Sequence, residues 1–136
     1  MSTDTLNGIV GQPAHFAGDY LFKNKALPND TTITSEEYTL NNTLGKLLLV
    51  GTTDAPLAME AGNSLVVMLQ YKDGNDWKNL TTLFSQTSAG TISAGQIFDI
   101  IPTPSNTRRF HRLQVTSNFD ASAVKLTAAI EIMPSI

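Results

Sequence analysis

Residues 64–72 read SLVVMLQYK, residues 73–76 read DGND and residues 77–84 read WKNLTTLF, and the fold follows from this stretch. Leu65, Val67, Leu69 and Tyr71 occupy every second position, with Val66, Met68 and Gln70 between them. That period sends alternate side chains to opposite faces of a strand. Asp73-Gly74-Asn75-Asp76 supplies a turn, because Gly and Asn accept the positive φ angles of a tight hairpin loop. Beyond it Leu80, Thr82 and Phe84 alternate with Trp77, Asn79, Thr81 and Leu83, so the spacing predicts an antiparallel hairpin.

The same period continues outward from the hairpin. In residues 123–133, Val124, Leu126, Ala128, Ile130 and Ile132 share one face and Lys125, Thr127, Ala129 and Glu131 the other, which reads as a half-buried strand. In residues 109–117, His111, Leu113 and Val115 lie opposite Phe110, Arg112, Gln114 and Thr116. Residues 95–101 make another strand, closed by Pro102 and Pro104, which cannot donate to a central ladder. Within residues 46–53 the run Leu47-Leu48-Leu49-Val50 predicts a strand buried on both faces. With Tyr38 and Leu57 as further markers, about eight short strands are expected, and no helical stretch competes with them. Such strands bury their apolar faces only as two packed sheets or as a closed barrel. The expected architecture is all-β: an antiparallel β-sandwich, an eight-stranded jelly roll, over residues 31–136, with barrel closure as the alternative.

Residues 1–30 differ, being interrupted by Gly8, Gly11, Pro13, Gly18 and Pro28. They predict an extended N-terminal arm whose aromatic-rich cluster, His15, Phe16, Tyr20, Leu21 and Phe22, is buried by a neighbouring molecule or by an edge of the same domain. A loosely packed leader is the plain alternative.

Composition narrows the function. A chain of 136 residues is one domain's worth, and the absence of cysteine removes disulfides, thiolate nucleophiles and Cys-ligated metals. Only 15% of residues are charged, with a net charge of -3, whereas Thr, Ser and Asn make 37 of 136. That balance excludes a nucleic-acid coat, and no apolar run approaches the ~18 residues of a membrane span. The opening MSTDTLNGIVGQ lacks the basic start and apolar stretch of a secretory signal, so a chain made and kept in the cytoplasm, or assembled there into something larger, is expected.

Sites for chemistry are sparse. His15 and His111 are the two histidines, and no nucleophile-elbow, phosphate-loop or dinucleotide motif is present. His111, on an alternating strand, reads as a structural histidine. Asp73, Asn75 and Asp76 lack the loop length and closing Glu of a calcium site, and the adjacent Glu36 and Glu37 point to opposite faces if extended. No enzyme, cofactor or metal is therefore expected. Trp77, Tyr71 and Tyr38 could form a sugar platform, although Trp77 and Tyr71 packing across the hairpin is the simpler reading. All three arginines, Arg108, Arg109 and Arg112, fall within five positions. They suit a salt-bridged contact with an acidic protein surface, or else a solvated strand end.

The ordered succession of Ser64–Gln70, the turn and partner strand, Ala94-Gly95-Gln96-Ile97-Phe98, Arg108-Arg109-Phe110-His111-Arg112-Leu113-Gln114-Val115 and Val124-Lys125-Leu126-Thr127-Ala128-Ala129-Ile130 resembles the small jelly-roll cement, or decoration, proteins on the heads of tailed double-stranded-DNA phages. The likeness spans roughly residues 38 to 133; the long N-terminal segment departs from it. It implies a virion structural protein that binds the capsid exterior as a symmetric homodimer or homotrimer and staples neighbouring major capsid subunits, with no nucleic-acid or membrane partner. Under it, Phe16, Tyr20, Leu21 and Phe22 would reach a neighbour and Arg108, Arg109 and Arg112 would touch an acidic face. A carbohydrate- or receptor-binding module of a phage tail or fibre is the alternative.

Overall fold

A computed structural model of the chain describes residues 20–39, 46–100 and 110–133. Within them the chain forms eleven strands: β1 Tyr20–Ala26, β2 Thr32–Thr34, β3 Tyr38–Thr39, β4 Lys46–Thr53, β5 Leu57–Met59, β6 Leu65–Asp73, β7 Asp76–Gln86, β8 Gly90–Ile92, β9 Gly95–Ile100, β10 Phe110–Ser117 and β11 Lys125–Met133. One sheet has the order β1-β11-β4-β9; a second has the order β2-β10-β6-β7, with β3 also on β10; β5 and β8 form a small third sheet. Every pairing is antiparallel. Along the chain, successive strands of the two larger sheets lie in opposite sheets, except β2 to β3 and the β6–β7 hairpin.

The alternation predicted from the sequence is what fills the interior. Leu65, Val67 and Leu69 of β6 and Leu113 and Val115 of β10 face Leu49 of β4, Phe98 of β9 and Leu126, Ala128 and Ile130 of β11 in one buried cluster. Full burial of a Leu, Ile or Val side chain is worth ~1.5–3 kcal/mol, so these inward stripes are the main reason the sheets stay together. The result is an all-β, sandwich-like fold.

Four local departures have physical causes. The hairpin sets nine residues of β6 against eleven of β7, and the two extra residues are absorbed by register shifts between Val67 and Met68 and between Leu69 and Gln70. Those bulges break the strict alternation of β7 and let Leu80, Leu83 and Phe84 all pack against the core. The loop itself is two residues long, with Gly74 at φ 66° in its first position, as a type II′ turn requires. In β4, Leu49 is buried while Leu48 and Val50 are only partly buried, so this strand is fully covered on one face and not on both. Three strands, β1, β2 and β8, lie outside the eight expected; β2 and β8 are three residues each, too short to display a period.

The fourth departure concerns the arm. The sheet claims the chain from Tyr20 onward, ahead of the expected boundary at residue 30, because β1 pairs with β11. Tyr20 stands opposite Ala129 and Phe22 opposite Ala128, two residues against one, and this bulge turns both Leu21 and Phe22 inward. Each is only 5% exposed. A second shift follows at Asn24, whose φ is 50° and whose amide donates to Thr127 Oγ1 at 3.1 Å. Leu21 and Phe22 are thus core residues of their own chain and not a surface offered to a neighbour.

Burial of Phe22 sets a measurable expectation: Phe22→Ala lowers the unfolding free energy by ~3–5 kcal/mol in denaturant titration of the isolated chain. An unchanged midpoint would return Phe22 to the role of a contact made elsewhere. A second expectation comes from β4, where Gly51 stands opposite Phe98 and any Cβ on it would enter the Phe98 ring. Gly51→Ala destabilises by ~1–3 kcal/mol through overpacking, and combining it with Phe98→Leu restores part of the loss in a double-mutant cycle.

Candidate functional site

The inward positions of β10 are closed to ligands. His111 is fully buried beside Leu113 and Val115, its ring 5.9 Å from that of Tyr38, which is equally buried. Tyr38 therefore forms no part of a sugar platform. The hairpin register sets Trp77 opposite Lys72 and Tyr71 opposite Lys78, so Trp77 and Tyr71 leave the sheet on opposite faces and do not pair across it.

The outward positions of the same sheet converge at one end. Gln70 of β6 lies opposite Arg112 of β10 on one side and Asn79 of β7 on the other. Arg112 Nε donates to Gln70 Oε1 at 2.8 Å, and Gln70 Nε2 donates to Asn79 Oδ1 at 2.9 Å. The Arg112 guanidinium carbon sits 4.3 Å from the centre of the Trp77 ring, and Lys72 Nζ lies 5.9 Å from that centre. Stacking of this kind contributes ~0.5–1 kcal/mol at exposed sites, and the hydrogen bond to Gln70 adds a similar amount. Gln70 itself is 6% exposed although it faces outward, because Arg112 and Asn79 cover it from both sides. Phe110, two residues before Arg112 and so on the same face, is 48% exposed. The arrangement is an arginine fixed on an indole, with a lysine at its side and an exposed phenyl ring next along its strand.

The rest of that face is neutral. Thr32 and Thr116 share a hydroxyl contact of 3.0 Å, and Thr34 and Gln114 pair in the next row. At the hairpin end Lys78 Nζ meets Asp73 Oδ2 at 3.0 Å, which raises the lysine's pKa. Asp73 is thus engaged by a cation across the hairpin. Among the described residues no group of three or more His, Asp or Glu side chains could hold a metal ion.

Of the residues singled out in the sequence, Arg112 lies in this cluster, while Phe16, Arg108 and Arg109 lie outside the described residues. Tyr20 stands apart on β1, 43% exposed, with Lys23 Nζ 5.3 Å from its ring centre. Gln70, Asn79 and Lys72 were not foreseen. Counting back from the two-residue loop would have set Lys72 against Trp77, but nothing local places Arg112 beside Gln70. No protein-family model matches this chain, and neither a curated protein nor a solved structure matches it.

Burial holds the Tyr38 phenol neutral and pushes its pKa far above the ordinary 10.0. The unfolded chain would ionise it near that value, so the fold is favoured below pH ~10 and loses stability as pH rises through it. Alkaline titration followed by tyrosinate absorbance should show Tyr38 ionising only together with unfolding, and Tyr38→Phe should remove that component. Ionisation of Tyr38 while the far-ultraviolet spectrum stays native would contradict its burial.

Proposed function

We propose that this chain is a capsid cement protein: a jelly roll that binds the outside of a tailed-phage head as a dimer or trimer and bridges neighbouring major capsid subunits. The supporting observation is the succession of strands. Taking β2 and β3 as two parts of one strand along β10, the orders β1-β11-β4-β9 and β2/β3-β10-β6-β7 comprise eight strands. Among the described residues their only hairpin within a large sheet is then β6–β7, every other step crossing between sheets. Such a succession supports the jelly-roll reading, the architecture implied by the resemblance of residues 38 to 133.

The surface suits such a role. A face lined by Thr32, Thr34, Gln114 and Thr116 offers neutral hydrogen bonds, which lose less to salt than ion pairs do. Individually such bonds contribute only ~0.5–1.5 kcal/mol. Symmetric repetition compensates, since a clamp already held at one site meets the next at high effective concentration. The basic strand, with Arg112 on the outer face, would meet an acidic face of the shell. A stacked sugar, by contrast, would compete with Arg112 for the Trp77 ring.

The test is sedimentation of the full chain with purified empty heads, alongside light scattering of the free protein. A dimer or trimer that co-sediments to a fixed stoichiometry, and is retained when salt is raised well above physiological strength, is the expected outcome. A monomer that stays in the supernatant, or a chain that captures glycans and loses them on Trp77→Ala, would overturn the proposal.

A further inference from the structure

The outer face of the five-stranded sheet holds an arginine whose orientation is fixed before any partner arrives. Arg112 Nε is committed to Gln70, which is braced in turn by Asn79, and the guanidinium carbon lies over the Trp77 ring. Among the described residues no carboxylate and no hydrogen-bond acceptor engages its Nη1 or Nη2 groups. A guanidinium presents its donors as a rigid fork that matches the two oxygens of a carboxylate. With Nε occupied, the end-on edge formed by the two Nη groups is the one left for a ligand. Lys72, on β6 opposite Trp77, adds a second cation near the same ring, and Phe110 adds exposed apolar surface on the strand that carries Arg112.

We infer that Arg112, held by Trp77, Gln70 and Asn79, is a preformed receptor for an aspartate or glutamate side chain of a partner protein, seated beside Phe110. This deepens the cement reading and rests on it only for the source of that side chain, the capsid shell. Charge complementarity selects the occupant. The cluster is cationic on a chain whose net charge is -3, so a phosphate backbone, which needs many cations along its length, is disfavoured as a whole. A single carboxylate needs one fork. Most of the ordering of the long arginine side chain is completed by folding, and the contact therefore loses less entropy than a free surface ion pair would.

Trp77 is the one tryptophan of the chain, so its fluorescence reports on this cluster without labelling. The full chain is titrated with poly-L-glutamate, with a single-stranded oligonucleotide as the competing arm. Poly-L-glutamate is expected to change the emission saturably and to weaken with salt, and the oligonucleotide to have little effect. Arg112→Gln and Arg112→Lys should each weaken binding about tenfold, the lysine variant because it keeps the charge and loses the fork. Gln70→Glu offers Arg112 an internal carboxylate; it should abolish binding while the thermal midpoint stays at or above that of the parent, an outcome that mere damage to the structure would not give. Wild-type affinity in Arg112→Lys or Gln70→Glu, no response to poly-L-glutamate, or tighter binding of the oligonucleotide overturns the inference. The two proposals fail separately. Heads that bind Arg112→Gln as well as wild type leave the cement reading standing and remove the receptor, whereas an Arg112-dependent response to poly-L-glutamate without head binding does the reverse.

Discussion

Everything in this fold depends on the short crossing between β1 and β2, where the chain leaves one large sheet and enters the other. Leu27 is buried there, and its amide donates to the Val124 carbonyl at 2.9 Å. The Pro28 carbonyl accepts from the Ala121 amide at 3.1 Å and from Ser117 Oγ at 2.7 Å, while the Ser117 amide donates to Thr31. Asp30, at φ 53°, donates its amide to Phe119. These bonds pair the β1–β2 crossing with the β10–β11 crossing, so the strands entering and leaving the two sheets are fixed in register at one end. A buried backbone group left unpaired costs as much as several surface contacts supply, which makes this paired crossing the constraint that the facing stripes rely on.

Given that closure, each large sheet has an inner face with no freedom and an outer face with considerable freedom. His111, Leu113, Val115 and Ser117 are buried, and replacing any of them leaves either a cavity or an unsatisfied group. Phe110, Arg112, Gln114 and Thr116 alternate with them on the same strand, and their identity is not dictated by the core. The arginine cluster is built on positions of this second kind. Its order comes from neighbours in the same sheet, Gln70, Asn79 and Trp77, so it needs no loop to hold it.

The parts of the structure legible in the sequence are those that a period of two can carry. Val124, Leu126, Ala128 and Ile130 are buried in alternation, as are Leu65, Val67 and Leu69, and Gly74 turns the hairpin where the sequence placed the turn. What the period could not carry were the bulges. Leu21 and Phe22 are adjacent yet both inward, and Leu83 and Phe84 likewise both pack on the core, because an extra residue in one strand resets which face follows. The candidate site was half legible for a related reason. Arg112 was conspicuous by its charge, but its partners come from a distant hairpin, Gln70 being 42 residues away, and a register between distant strands is set by tertiary packing alone.

A fork fixed on a β-sheet has a consequence for how a clamp of several copies would work. A flexible arginine can follow a carboxylate that shifts by an ångström or two, and so tolerates imprecise docking with little reward for the correct pose. An arginine stacked at 4.3 Å on Trp77 and bonded through Nε has one approach direction. Against the proposed partner it would discriminate between registers even where its net energy is small, since a misplaced carboxylate would meet the edge of the fork and not its two parallel donors. Neutral contacts from Thr32, Gln114 and Thr116 would provide retention with weak directionality, and the single fixed cation would set the angle at which each copy seats. In the proposed clamp, division of the work in this way would let a chain with few charges bind firmly without binding indiscriminately, because affinity would accumulate over copies while orientation would be decided at one side chain.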